Sequence, residues 1–259
     1  MISEVKLLVS PKDEDEALEA SQGGADIIDV KNPSEGSLGA SFPWIIRRIR
    51  EIIPNETDIS ATLGDLPNLP GTASLASLGA AASGANYVKV GLMGPSSPEE
   101  AVYLMSCVVR SVGQLDPPVK VVAAGYADWR RAGTIDPLLI PEIAKNSGSQ
   151  VAMLDTKIKD GKGLFSFLSE EDLGLFVGTS HKMGLSAALA GSLRRDDIPT
   201  LLRLGVDIIG VRTAVCEGLD RVTGRIKRKK VQELANTIRR FTANEEMQGN
   251  QAQTRVSVR

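Results

Sequence analysis

Along the chain, short runs of apolar, β-branched residues alternate with longer stretches in which apolar positions recur at helical spacing. The strand candidates are Val5–Ser10, Ile27–Lys31, Ile59–Leu63, Tyr87–Leu92, Val119–Ala124, Val151–Asp155, Ser186–Ala190 and Ile208–Arg212. Helix candidates follow them at Glu14–Gly23, Pro43–Ile53, Thr72–Ser83, Pro98–Val112, Pro137–Ser147, Glu170–Lys182, Arg195–Leu204 and Lys229–Phe241. Strand starts recur every 22 to 35 residues, and a strand–helix–strand unit needs roughly 30. Eight such units describe a single closed (β/α)8 barrel, the α/β TIM-barrel architecture, whose usual size is about 250 residues. It is expected to span residues 1–242. An open, doubly wound sheet is the alternative. Such sheets usually have fewer strands and often carry a Gly-rich nucleotide turn, which this sequence lacks.

Boundary chemistry supports the alternation. Ser97-Pro98-Glu99-Glu100 offers a helix cap, a proline for the first turn and two acids at the positive end of the helix dipole. Ser169-Glu170-Glu171-Asp172 offers a cap and acids in the same order. Gly23-Gly24-Ala25-Asp26, Gly84-Ala85-Asn86 and Gly205-Val206-Asp207 each end a helix and hand over to a strand, the nearest thing to an internal repeat. Leu175–Thr179 could be a strand by composition, but would crowd the one expected at Ser186–Ala190, so it is assigned to a helix. Residues 243–259 are polar and aperiodic and are expected to form a loose tail.

Composition narrows the function classes. Lys+Arg number 30 against 32 Asp+Glu, a formal charge of -2, which excludes a nucleic-acid binder held by a strongly basic surface. With 42% hydrophobic and 24% charged residues the chain can bury a core, unlike a disordered acidic chain. No stretch of eighteen apolar residues exists, so no membrane span is expected. The first residues run straight into a strand without a leader pattern, and a cytoplasmic protein is expected. Cys107 and Cys216 lie outside any C-x-x-C pattern and read as small buried apolar residues, not a disulfide. His181 is the single histidine, which leaves little scope for histidine metal sites or histidine acid–base work. No metal or cofactor is expected, since neither zinc spacing nor a P-loop is present.

In barrels of this kind, side chains at the C-terminal ends of the strands face the reaction site. Asp29 and Lys31, two apart, project together while Val30 points away. Lys89 is a charge between Val88 and Val90, and Asp155 closes the sixth strand candidate. Lys120 opens the fifth, at the opposite end of the barrel. Ion pairs between strands would explain such charges, since an ion leaving water must be paired or neutralised. Their clustering at one end of three strands favours chemistry. A desolvated lysine beside a second cation loses its proton more easily and can then attack a carbonyl to form a Schiff base. Asp29 favours the ammonium form, so it is read as orienting Lys31 and shuttling protons. Gly191-Ser192-Leu193 and Gly210-Val211-Arg212-Thr213 lie where many barrels bind phosphate through backbone N–H groups. Arg212, if exposed at the rim, would add a fork suited to phosphate oxygens. Tight turns alone would also account for these glycines. Lys227-Arg228-Lys229-Lys230 reads as a solvated helix start, His181 as a surface or capping group, and Trp44 and Trp129 as packing residues beside loops.

Several segments resemble the (5-formylfuran-3-yl)methyl phosphate synthase family of methanofuran biosynthesis, also called 4-(hydroxymethyl)-2-furancarboxaldehyde-phosphate synthase. They are Leu8-Val9-Ser10-Pro11, the long run Gly23-Gly24-Ala25-Asp26-Ile27-Ile28-Asp29-Val30-Lys31-Asn32-Pro33-Ser34-Glu35-Gly36-Ser37-Leu38-Gly39-Ala40, and Tyr87-Val88-Lys89-Val90-Gly91-Leu92. Leu154-Asp155-Thr156, Lys159-Asp160-Gly161 and Leu189-Ala190-Gly191-Ser192-Leu193 are similar too, and the resemblance reaches to about Phe241. It implies a barrel lyase that condenses two glyceraldehyde 3-phosphate molecules into a furan aldehyde bearing one phosphate, with one phosphate and two waters released. It further implies that Lys31 forms the Schiff base and Lys89 accepts a proton, assisted by Asp29, Asp155 and Lys159. By position alone Lys159 is a solvated loop charge. The expected ligand is a small phosphorylated triose, its retained phosphate near Gly191, Ser192, Gly210 and Arg212. A class I aldolase acting on phosphorylated sugars and a non-catalytic phosphosugar-binding barrel remain as alternatives. Barrels of this size commonly self-associate, so a homo-oligomer is expected, although helix–barrel packing accounts equally well for Ile45, Ile46, Tyr103 and Met105.

Overall fold

The computed structural model describes residues 5–218 and 223–256, with side chains to residue 243. Eight parallel strands close a barrel in chain order: β1 (Lys6–Val9), β2 (Ile27–Val30), β3 (Asp58–Leu66), β4 (Tyr87–Leu92), β5 (Lys120–Tyr126), β6 (Val151–Asp155), β7 (Ser186–Leu189) and β8 (Ile208–Val211). The seam closes where β8 pairs with β1, from Lys6↔Ile208 to Val9↔Val211. Outside lie α1 (Glu14–Gln22), α2 (Pro43–Ile52), α3 (Pro70–Ala82), α4 (Pro98–Val112), α5 (Trp129–Ala132), α6 (Ile140–Ser147), α7 (Glu170–Lys182), α8 (Ile198–Arg203) and α9 (Arg228–Val256). A short antiparallel pair, β9 (Cys216–Glu217) with β10 (Arg225–Ile226), follows β8. Among the described residues no helix is long and apolar enough to cross a membrane.

Strand alternation builds two separate apolar clusters. Leu8, Ile27, Tyr87, Val122, Met153, Ala188 and Ile208 fill the barrel, while their strand neighbours such as Leu7, Val9, Ile28, Val88 and Val121 pack against the helices. The repeated helix–Gly–x–Asx handover has a specific role in this geometry. Gly24, Gly84 and Gly205 adopt positive φ, and the Asx side chain then accepts an N–H at the start of the preceding strand. Asp26 takes Leu7 N–H at 2.8 Å, Asn86 takes Ile59 N–H at 2.8 Å and Asp207 takes Ala187 N–H at 2.7 Å. Gln150 does the same for Val121 at 2.8 Å. These side chains satisfy donors at the barrel's N-terminal edge, which the parallel ladder leaves unpaired.

Several boundaries depart from expectation. β3 runs on to Leu66 and β5 to Tyr126, past the strand ends read from the apolar pattern, because both carry polar or glycine positions there. α6 and α8 are each preceded by a 3-10 turn, Pro137–Leu139 and Arg195–Asp197. Each of these helices has a proline in its first turn, where the missing N–H does no harm. Leu175–Thr179 lies inside α7. The expected loose tail is instead helical to Val256. Residues such as Ala243, Glu245, Glu246, Met247 and Gln248 are good helix formers, and a helix already nucleated adds one hydrogen bond per residue. Residues 257–259 lie outside those described.

The side-chain expectations for Trp44 and Cys107 also change, while that for Trp129 does not. Trp44 is exposed and stacks on Phe42 with ring centroids 4.6 Å apart. It falls opposite Ile46 and Ile49, the buried positions of α2. Trp129 is half-buried, with Arg130 over its ring. Cys216 is buried, but Cys107 is only partly so; both are free thiols.

Replacing Asn86 by Ala leaves the buried Ile59 N–H without an acceptor. The expected loss is about 1–3 kcal/mol, read as a lower urea midpoint at unchanged slope.

Candidate active site

The alternation that fills the barrel with apolar groups at its base brings charges together at its C-terminal end. β2 supplies Asp29 and is followed by Lys31, β4 supplies Lys89 and β6 ends in Asp155. Asp29 is fully buried and sits at the centre. Its Oδ1 accepts Lys89 Nζ at 2.7 Å, and its Oδ2 accepts the Ser10 hydroxyl at 2.9 Å and lies 3.6 Å from Lys31 Nζ. Across the mouth, Lys159 Nζ donates to Asp155 Oδ1 at 2.6 Å and to Thr156 Oγ1 at 3.0 Å. Lys89 is thus gripped, whereas Lys31 is held loosely by the same carboxylate.

That difference shapes the electrostatics. Burial lowers the Lys31 pKa, with help from the nearby Lys89 and Lys159 and against the pull of Asp29 and Asp155, from 10.5 to about 8. For Asp29, burial works against the charged form, but Lys89, Lys31 and the Ser10 hydrogen bond outweigh it and hold the carboxyl below its ordinary value. Asp155 is likewise opposed by burial and held well below the carboxylate range by Lys159 and Lys31. Two ionised carboxylates therefore flank an amine that gives up its proton readily.

A pocket of about 440 Å³, counting the space at its mouth, opens between β1, β2, β6, β7 and β8. Asp29, Lys31, Asp155, Lys159, Gly191, Ser192, Gly210 and Arg212 all line it. Lys89 does not; it is 1% exposed and lies behind Asp29, reaching the pocket only through that carboxylate. The β2–α2 loop covers that side of the barrel mouth. Leu38 is fully buried in the interior cluster, Ser37 donates to the Thr156 carbonyl at 2.7 Å, and Thr62 donates to the Gly39 carbonyl at 2.6 Å. Gly36 is required there: its φ is +138°, and a Cβ would lie 2.2 Å from Asp65 Oδ2.

At the far wall, Gly191 and Ser192 turn with φ of +107° and +51°, and Ser192 is the one non-glycine with positive φ among the described residues. Such a conformation persists only when its surroundings over-determine it, and it gathers at ligand sites. Gly210 lets the strand pack against Ala190, whose Cβ would lie 2.9 Å from an added one. Arg212 departs from the expected rim position. It is 8% exposed, and its guanidinium donates to Glu16 at 2.7 and 3.4 Å, to the Ser10 carbonyl at 2.8 Å and to the Gly224 carbonyl at 3.2 Å. Glu16, buried on α1, draws the fork away from the pocket, so Arg212 ties β8 to α1 and to the end of β1. His181 pairs with Asp207 at 2.8 Å at the opposite end of the barrel, as a surface group.

Sequence reasoning passed over Ser10, Thr156, Asp65, Tyr126 and Asp128. Ser10 could have been found, because it follows Leu8 by two at the C-terminal end of the first strand candidate. Tyr126 and Asp65 lay past the expected strand ends. Among the described residues no group of three or more His, Cys, Asp or Glu side chains converges as a metal site would.

Residues 7–235 match the family model described as 4-HFC-P synthase. The chain belongs to this family. Two similar relatives are both named (5-formylfuran-3-yl)methyl phosphate synthase. The one from Methanocaldococcus jannaschii is 58% identical over 228 residues, 88% of this chain and 97% of the relative. That from Methanopyrus kandleri is 54% identical over 233 residues, 90% and 98% of the two chains. The family membership makes the protein an enzyme of the synthase type. Solved structures share the fold alone. Phosphoribosyl anthranilate isomerase from Thermus thermophilus superposes with a TM-score of 0.60 at 17% identity, covering 90% of this chain and 97% of that one. An aldolase, QR15, gives 0.60 at 12% identity, covering 81% and 89%.

The two buried lysines should respond oppositely to removal. The lowered Lys31 pKa means that the unfolded chain holds the extra proton between pH 8 and 10.5. The charged amine therefore costs stability, fully below pH 8, and the cost lifts as pH rises through that window. At pH 7 it is on the order of 3 kcal/mol, so Lys31→Met should raise the urea midpoint, with the gain shrinking above pH 8. Lys89→Met takes away the closer cation of Asp29, leaving it the Ser10 hydroxyl and Lys31 at 3.6 Å, and should cost about 3 kcal/mol.

Proposed function

We propose that the protein is a Schiff-base lyase that condenses two molecules of glyceraldehyde 3-phosphate into (5-formylfuran-3-yl)methyl phosphate, releasing one phosphate and two waters. The observation that carries this reading is the loosely paired amine of Lys31, with its pKa near 8, on a pocket walled by two carboxylates and a second lysine. The names of the relatives support the choice of product.

With a pKa of about 8, roughly a tenth of Lys31 is neutral at pH 7. The amine attacks the aldehyde carbon of one triose, and loss of water gives the imine. This acidifies the proton on the adjacent carbon. Asp29 faces the pocket and Lys89 stands behind it, so the pair serves as the proton acceptor, with the carboxylate as the member that meets the substrate. The electron pair left on carbon expels the phosphate one carbon further along. Lys159, on the opposite wall, offers positive charge to that leaving group. The second triose, enolised at its middle carbon, adds through that carbon to the carbon the phosphate left, which puts the phosphomethyl group at position 3 of the furan. The hydroxyl on the first triose's middle carbon then closes on the second triose's aldehyde, loss of two waters makes the ring aromatic, and hydrolysis of the imine frees Lys31. Each atom is accounted for: two trioses of three carbons become one six-carbon furan aldehyde phosphate, one phosphate and two waters. The retained phosphate is assigned to the backbone at Gly191, Ser192 and Gly210, with Arg212 holding the adjoining strand end in place.

Incubation with glyceraldehyde 3-phosphate should release one phosphate for every two trioses consumed and yield the furan by mass. Borohydride should fix an adduct on Lys31, and Lys31→Ala should lose both adduct and turnover while remaining folded. A class I aldolase would retain both phosphates in its product. A binding barrel would give neither adduct nor turnover.

A further inference from the structure

The loop that follows β6 carries Lys159 back over Asp155, and it is gripped from outside the pocket. Asp128, 2% exposed at the start of α5, accepts Lys157 N–H at 2.6 Å through Oδ1 and Ile158 N–H at 2.8 Å through Oδ2. Asp65, near the end of β3, accepts Lys157 Nζ at 3.0 Å and the Tyr126 hydroxyl. Neither carboxylate lines the pocket. Side chains along the loop alternate: Lys157 turns outward to Asp65, and Lys159 turns inward to Asp155 and Thr156. A carboxylate that receives two successive backbone N–H groups fixes the peptide plane between them as well as its position. Both bonds are partly buried and end on a carboxylate that is itself buried, so losing one costs about 1 kcal/mol or more.

We propose that Asp128 and Asp65 are positioning residues that set Lys159 at the pocket wall, where it meets the departing phosphate. The encounter with phosphate rests on the lyase reading above; the placement of Lys159 does not. Asp128→Asn keeps size and shape but turns one acceptor into an N–H donor facing an N–H, so the two loop amides cannot both be satisfied. Asp65→Asn is milder, because an amide oxygen can still accept from Lys157. It serves as the second variant if Asp128→Asn does not fold.

The test has two readouts. Acylation of lysines by an amine-reactive reagent in the substrate-free protein, followed by mass spectrometry, reads the loop directly. Lys159 should label about 5-fold faster or more in Asp128→Asn, with Lys6 unchanged as the internal standard. Phosphate release from glyceraldehyde 3-phosphate reads the consequence. kcat should fall about 10- to 100-fold with little change in KM, and Asp128→Asn should cause no further loss in a Lys159→Met background. Unchanged Lys159 labelling in both variants, or an equal loss of kcat with and without Lys159, overturns the proposal. A parent protein that releases no phosphate refutes the lyase reading alone, since the labelling result still decides the positioning.

Discussion

One buried carboxylate sets the character of the whole site. Asp29 is shared by two lysines but not equally: Lys89 is bonded at 2.7 Å and Lys31 stands off at 3.6 Å. A single carboxylate cannot fully neutralise two cations in a place without water. The closer lysine holds most of the charge of Asp29, and for the other burial outweighs the remaining pull of Asp29 and Asp155. An amine that gives up its proton readily thus arises from burial and one unequal pair of distances.

The barrel makes that inequality possible. β2 and β4 are not neighbours; β3 lies between them, and its small interior residues Ser60 and Thr62 leave room for the long Lys89 side chain to cross to Asp29. Parallel register holds the distances, since a slip of one residue would turn each of these charges into the helix layer. Below them Leu8, Tyr87, Val122 and Met153 pack the interior, and the pocket that holds Lys31 lies at the loop end. Above them the β2–α2 loop seats Leu38 over the Lys89 side and leaves Lys31 at the pocket. Stability and reactivity are separated by position: the N-terminal edge is satisfied by Asp26, Asn86 and Asp207, and the strained, charged groups lie at the other end.

Much of this was legible in the chain. Strand spacing gave eight units, and period-two alternation placed Asp29 and Lys31 on one face. Charges at three strand ends picked out Asp29, Lys89 and Asp155, which the structure brings to one end of the barrel. The family resemblance added Lys159, which has no local signal because its partner, Asp155, is on the strand before the loop. What the sequence did not disclose depends on contacts across the barrel. Arg212 was read as a phosphate fork, but Glu16, nearly two hundred residues earlier, captures it. Tyr126 and Asp65 were lost past strand ends that a polar residue or a glycine disguised. The burial of Lys89 behind Asp29 could not be inferred from alternation, which assigns a face but not a depth.

The central claim is that the site frees the Lys31 amine from its proton near neutral pH. It is tested most directly by NMR titration of the lysine ε-carbons in substrate-free protein labelled at that position, with Lys31→Arg used to assign the resonance. A midpoint close to 8 is the result expected. A midpoint at or above 10.5, the value of a lysine in water, would contradict the account.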